Sequence, residues 1–289
     1  RGMSDQAALD TYRTLRAGMV AAGLLLGLGL IGYIVGHGVP NSISATFYTD
    51  LRTVFVTTLL AVGLALVAVK GRPGPENTLL DIAGVLIPVV GFVPTPITDP
   101  ACPVPGKGCI PAAFDSAIDL NLWAYLGMGL IGLAVAGLRM GWASRTPTPW
   151  SRGSRVGLGM LALIWTIYTG TYLLARPFFV QYAHYTSAIS FFLLLIGAVW
   201  INSRRTRGNA DLARLPVSAY RRIYRTIAVA MVAAIGAGVA VFVLTGNQNA
   251  VVGDRFPVVF WIEAVLLLLF VTYWVFQTVE LWFITQPQG

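Results

Sequence analysis

NSISATFYTDLRTVFVTTLLAVGLALVAVKG, residues 41–71, carries the reading on which the fold turns. From Thr53 to Val69 it holds no charge, and with its flanks it is long enough to cross a bilayer as a helix. Asp50 and Arg52 stand where the apolar run begins. Opposite charges in that place must pair, face a cavity or sit near lipid headgroups. On one continuous helix Ser44, Tyr48 and Arg52 would share a face at successive i, i+4 steps. A single segment thus joins a membrane span to the polar groups most apt for function.

The rest of the chain repeats that pattern. Of its 289 residues 56% are hydrophobic and 11% charged, with a mean hydropathy of +0.72. Soluble domains carry about 25% charged residues, so the composition belongs to a polytopic membrane protein. A net charge of +8 and a pI near 9.8 would suit nucleic acid, but the charges fall in short loops beside apolar spans. That distribution is a topology signal and excludes a nucleic-acid partner. Eight spans can be drawn, near 17–36, 47–70, 77–95, 120–141, 155–175, 178–202, 224–245 and 257–283, in one integral membrane domain covering residues 1–289. With the N-terminus in the cytoplasm, only Arg52, Lys107, Arg176 and Arg255 of the 20 basic residues fall outside. The expected fold is therefore an all-α transmembrane bundle with both termini cytoplasmic. Eighteen Arg against two Lys, with abundant Ala, Gly and Val, suggests a high-GC bacterial genome and hence the inner membrane. Arg1 and Gly2 ahead of Met3 read as a remnant outside the natural chain, and the first span as its own anchor.

Loops and small residues add detail. Gly23/Gly27, Gly32/Gly36 and Gly137/Gly141 have the spacing that lets helices approach closely, within this bundle or in a homo-oligomer; packing within the bundle is the preferred reading. Cys102 and Cys109, the only cysteines, share a Pro- and Gly-rich outer loop where a disulfide between them would persist. The stretches RMGWASRTPTPWSRGSR and NSRRTRGNADLARLPVSAYRRIYR are basic and aromatic, suited to anionic lipid headgroups at the inner face. In the third span Pro88 and Pro94 are expected to kink the helix or loosen its outer end, with Asp81 near the inner one.

Depth is the most informative coordinate. Asp50, Arg52, His184 and Glu263 all fall within about 10 Å of the outer interface, counting 1.5 Å per helical residue. None belongs against lipid, so they should turn inward into a shared pocket between the second, sixth and eighth spans. Ser44, Tyr48, Tyr168, Tyr172 and Trp261 lie at that level, with Ser42, Tyr182 and Tyr185, and Arg176 and Asp119 near the rim. The set suits a headgroup site: a guanidinium for phosphate or carboxylate, rings around it, apolar walls for acyl chains. A salt-bridge network that only ties the helices together uses the same residues.

Catalysis is harder to build. His37, His184, Asp50 and Glu263 would supply a metal set, but these are the only histidines and no H-x-x-x-H or H-E-x-x-H pattern exists. No metal or other cofactor is called for. Serine chemistry would need Ser42, Ser44 or Ser187 beside His184 with a carboxylate behind it, and no G-x-S-x-G surrounds any serine. A carboxylate path from Glu263 through Gln277 and Glu280 has an apolar gap of about 21 Å. That is too long for direct proton relay.

The run SISATFYTDLRTVFV, the Lys-Gly turn at Lys70–Gly71 and ENTLLDIAGVLIPVVGFVPT resemble a family of bacterial polytopic membrane proteins to which no activity is attached. More distantly, HYTSAISFF and FWIEAVLLLLFVTYWVFQTVEL are similar to the later helices of Frag1/DRAM/Sfk1-type membrane proteins, a group linked to lipid organisation and lipid-anchor handling. The resemblance implies a lipid-related role. The leading expectation is a protein that binds or transports a lipid or small amphiphile. A membrane-embedded lipid hydrolase or transferase, and an ion channel or proton-sensing module, stand as alternatives.

Overall fold

Helices so uniformly apolar can satisfy their backbones and bury their side chains only against each other and against lipid. A computed structural model of the chain describes residues 2–69, 74–98, 102, 108–143, 152–205, 215–245, 251–252 and 256–282. Among them are eight α-helices: α1 (Gly2–His37), α2 (Arg52–Ala68), α3 (Pro75–Phe92), α4 (Asp115–Ala143), α5 (Arg152–Leu174), α6 (Arg176–Arg205), α7 (Val217–Thr245) and α8 (Val258–Leu281). The bundle is all-α; a two-residue antiparallel ladder, Val251–Val252 with Phe256–Pro257, only leads the chain into α8. Most helices outrun the apolar segments read from the sequence, because hydropathy marks the lipid-facing core while helix-compatible Asp, Gln and Arg carry the coil past it. The basic stretches 144–151 and 206–214, together with Lys70, Arg72, Lys107 and Arg255, lie outside the described residues.

Seven of the helices are long and apolar enough to cross a membrane; α2, at 17 residues, is shorter. The outward faces agree. Val35 is 84% exposed, Leu174 90% and Leu244 84%, in patches that a water-soluble monomer would not sustain. The chain is a multi-pass membrane protein.

Contacts at the two ends show how the helices alternate. At one end Ser44, Val93, His184 and Glu263 meet, and Arg176 reaches Asp115 and Asp119. At the other Glu76, Asn202 and Tyr273 meet, and Tyr224 donates to Glu280. We call these the disulfide end and the basic end. Between α5 and α6 the chain reverses at Ala175 and Pro177, bringing Tyr168 to 2.9 Å from Ser187.

The centre of the bundle is α3, 61% buried along its apolar window, against 11% for α4 and α5. Glycine lets α2 press onto it. A Cβ on Gly63 would stand 2.7 Å from the Gly84 carbonyl oxygen, and one on Gly84 2.6 Å from that of Gly63. Neither position admits a side chain at this crossing. Pro88 removes one donor from the α3 ladder, and the Tyr125 hydroxyl donates to the Val85 carbonyl in the same turn. The glycines singled out in α1 divide. Gly23 abuts Val271 of α8, whereas Gly27, Gly32 and Gly36 have open space where a Cβ would point, as do Gly137 and Gly141 in α4.

The second predicted span needs correction. Residues 47–51 do not continue a helix into α2. Ser44–Tyr48 is a 3-10 turn closed by Thr49 in an extended conformation (φ −120°, ψ 179°). Ser44, Tyr48 and Arg52 therefore do not share a helical face. Thr46 and Thr49 hydroxyls bond to the carbonyls of Ile43 and Thr46 and hold the turn in place of an α-helix.

Candidate functional site

The 3-10 turn presents backbone N–H groups with no partner inside the turn, and such donors must be satisfied when buried. Glu263, six residues into α8, supplies the acceptor: Ile43 N–H and Ser44 N–H both donate to Oε2. The Ser44 hydroxyl donates to Oε1 at 2.8 Å and lies 2.9 Å from His184 Nε2. His184 is anchored on its other nitrogen, with Nδ1 2.7 Å from the Val93 carbonyl. That carbonyl sits just past the end of α3, where Pro94 and Pro96 stop the helix. Ser42 and the Phe260 N–H complete the lock: Ala45 N–H donates to the Ser42 hydroxyl, and Phe260 N–H to the Asn41 carbonyl. Four separate elements thus converge on one chain, Val93–His184–Ser44–Glu263.

Below this chain lies a cavity of about 400 Å³ between α1, α2, α3, α6, α7 and α8. That falls within the range of small-molecule sites, roughly 300–1,000 Å³. Its walls are Leu26, Val62, Ile87, Val90, Leu266 and Phe270 with other apolar groups, and Ser44, His184 and Glu263 form its polar roof. Tyr182 and Ile189 of α6 and Val239 and Phe242 of α7 also line it and are exposed. The space therefore opens toward lipid between those two helices, in their halves nearer the disulfide end. Thr58 and Tyr185 line the same space, and their hydroxyl oxygens are buried without a hydrogen-bond partner.

The residues expected to share one pocket are dispersed, and only three of them meet at the cavity. Ser44, His184 and Glu263 form the roof. Asp50 is exposed and has no partner among the described residues. Arg52 turns away from Glu263: its Nε donates to the Phe47 carbonyl at 2.6 Å, and its guanidinium lies over the rings of Phe47 and Phe114, 4.9 and 4.7 Å from their centroids. Tyr48 donates to the Thr95 carbonyl at 2.9 Å and pins the loop after α3. Tyr172 and Arg176 belong to a rim network instead. Tyr172 donates to Asp119 at 2.8 Å, and Arg176 bonds Asp119 at 2.8 Å and Asp115 at 3.0 Å. Tyr168 reaches Ser187, and Trp261 is exposed beside Phe260.

Cys102 and Cys109 are joined as a disulfide, their Cα atoms 5.6 Å apart, and Ile97 pairs with Cys109 through two backbone hydrogen bonds. Among the described residues no three His, Cys, Asp or Glu side chains converge closely enough to hold a metal ion. Sequence reasoning passed over the Val93 carbonyl, the Ile43 and Ser44 N–H groups and the hydroxyl of Thr58. Backbone groups leave no compositional trace, and Thr58 reads as one more residue of an apolar helix. No family model matches the chain, and neither a curated protein nor a solved structure shows significant similarity to it.

Proposed function

We propose that this protein binds a lipid or small amphiphile, or carries it, through the cavity beneath Ser44, His184 and Glu263. One observation supports the reading above the others: a space of about 400 Å³ with apolar walls, a polar roof and a lipid-side mouth. An acyl chain matches the walls and a hydrogen-bonding head matches the roof. The proposed setting is a bacterial inner membrane, with eight passes and both termini cytoplasmic. The charge asymmetry of the loops supports that orientation. The count of eight rests on α2: α1 ends and α3 ends at the disulfide end, so the chain must cross between them. At about 26 Å α2 falls a little short of the roughly 30 Å hydrocarbon core, and the 3-10 turn and Arg52 fill the remaining depth. At the basic end Arg204 and Arg225 stack on Trp200, a surface suited to anionic headgroups.

Mass spectrometry of protein purified in mild detergent should find a bound amphiphile. Val239→Trp, at the exposed mouth of the cavity, should lower its occupancy at least severalfold without unfolding the chain. Equal occupancy in wild type and Val239→Trp would overturn the proposal.

A second reading, lipid hydrolysis, is favoured by one contact. Ser44 Oγ lies 2.9 Å from a histidine whose other nitrogen is held by an acceptor, the arrangement of an activated nucleophile. Against it, Glu263 Oε2 occupies the two N–H groups that would otherwise stabilise an oxyanion. Covalent labelling of Ser44 by a fluorophosphonate would decide for hydrolysis; no labelling would remove it.

A further inference from the structure

The hydrogen bonds of the roof fix how many protons it holds. The Val93 carbonyl can only accept, so His184 Nδ1 carries a hydrogen. Ser44 Oγ owns one hydrogen and makes two contacts, 2.8 Å to Glu263 Oε1 and 2.9 Å to His184 Nε2. Both can be hydrogen bonds only when one more proton is present. Either a protonated Glu263 donates to Ser44, which donates to a neutral His184, or an imidazolium donates to Ser44, which donates to a carboxylate. The two arrangements differ by a shift of protons along one chain and have the same net charge of zero. Remove that proton and Ser44 must choose between Glu263 and His184, leaving two lone pairs face to face. The site then holds one negative charge beside an apolar cavity.

None of the described residues that line the cavity neutralises that charge. No Lys or Arg lines the cavity among the described residues. The titratable groups facing the chain are Tyr185 from α6, close enough to Glu263 for charge on one to be felt by the other, and Tyr48 behind it on the 3-10 turn. Arg52 of α2 is committed to the Phe47 carbonyl and two rings. α1, α3 and α7 contribute only apolar or glycine lining. Aromatic rings, by contrast, are plentiful on the walls: Phe55, Tyr182, Tyr185, Phe192, Phe242 and Phe270. A carboxylate, rings and, among the described residues, no fixed cation make a site for a cation with an apolar body.

Building on the amphiphile-binding reading above, we propose that the ligand is a cationic amphiphile, an alkylammonium or similar, which binds Glu263 in exchange for the shared proton. The balance is simple: cation plus neutral triad gives the cation–carboxylate pair plus one released proton. The expected anionic headgroup, matched to Arg52, does not fit a cavity from which that guanidinium is turned away.

Dodecyltrimethylammonium, which cannot itself carry a titratable proton, is the probe, with dodecanol as its uncharged counterpart and protein-free nanodiscs as the blank. In weakly buffered solution, binding of the probe should release about one proton per site. Its affinity should rise with pH, by up to about tenfold per unit, for as long as the roof still holds its proton, and level off once that proton is gone. Glu263→Gln should abolish both effects. Proton-silent, pH-independent binding of the probe by wild type would overturn the proposal, as would unchanged proton release in Glu263→Gln. Binding of dodecanol alone would overturn the exchange and leave the amphiphile cavity standing; binding of neither would remove both. Should Glu263→Gln fail to fold, the wild-type measurements decide alone.

Discussion

The bundle buries polar groups at both ends, and the two sets differ in what surrounds them. At the basic end Arg16, Glu76 and Glu280 come together with Asn202, Tyr224 and Tyr273. Asn202 donates to Glu76 at 2.7 Å and to Tyr273 at 2.6 Å, and Tyr224 donates to Glu280. Arg16, only 4% exposed, donates to Tyr12, stacks on Trp274 and lies near enough for its charge to be felt at Glu280. Tyr220, Tyr224, Tyr273 and Trp274 fill the space around them, each at most 1% exposed. At the disulfide end the roof has a carboxylate and, among the described residues, no cation, and beneath it the packing stops at a cavity. A polar network with its own counter-charge and packed walls ties helices together. One without a counter-charge among the described residues, facing open space, is the proposed binding site.

The largest effect should come from the packed network. Arg16→Met removes a buried cation whose charge reaches the half-buried Glu280, a change worth up to about 3–5 kcal/mol. Thermal unfolding in detergent should show a fall that neither added lipid nor dodecyltrimethylammonium restores. A small fall would mean that the basic end is wetter, and the two ends more alike, than their packing indicates.

At the roof, two substitutions of Glu263 should separate bonding from charge. Glu263→Leu orphans the Ile43 and Ser44 donors, and each unsatisfied buried group costs about 1–3 kcal/mol. Glu263→Gln can keep every bond: its carbonyl accepts from the two N–H groups, its amide donates to Ser44, and Ser44 donates to His184. That variant imitates the proton-loaded roof, so its stability should lie within about 0.5 kcal/mol of wild type. Equal losses for Leu and Gln would show that the negative charge itself holds the roof together.

Much of this was legible in the chain. Hydropathy alone places α3 through α8 and marks His184 and Glu263 as groups that cannot face lipid. The asymmetry of Arg supports the proposed orientation. What the chain could not show was pairing. Asp50 and Arg52 sit two residues apart and read as members of one site, yet the 3-10 turn ending at Thr49 points one outward and sets the other on Phe47. That break depends on Ser42, Thr46 and Thr49 hydroxyls competing with the helix for backbone groups, and nothing in an apolar run announces which competitor wins. The basic-end network was missed for a related reason. Arg16 and Glu76 flank apolar segments, where charges ordinarily mark topology, and only the longer reach of α1 and the arrival of Asn202 and Tyr273 turn them into a buried cluster.

The smallest expected effect tests how well the roof is insulated from Arg52. If Arg52 compensated Glu263, removing either would strand the other, and the double variant would recover part of the loss. The geometry argues otherwise. Arg52 has its own acceptor in the Phe47 carbonyl and its own rings in Phe47 and Phe114, while all four bonds around Glu263 and Ser44 are made without it. A double-mutant cycle between Arg52→Met and Glu263→Gln should therefore be additive to within about 0.3–0.5 kcal/mol, as for residues that share no partner. A coupling above about 1 kcal/mol would place Arg52 within the electrostatic reach of the roof. The roof would then resemble the basic end, a carboxylate with a resident counter-charge, and the argument for a cationic ligand would lose its ground.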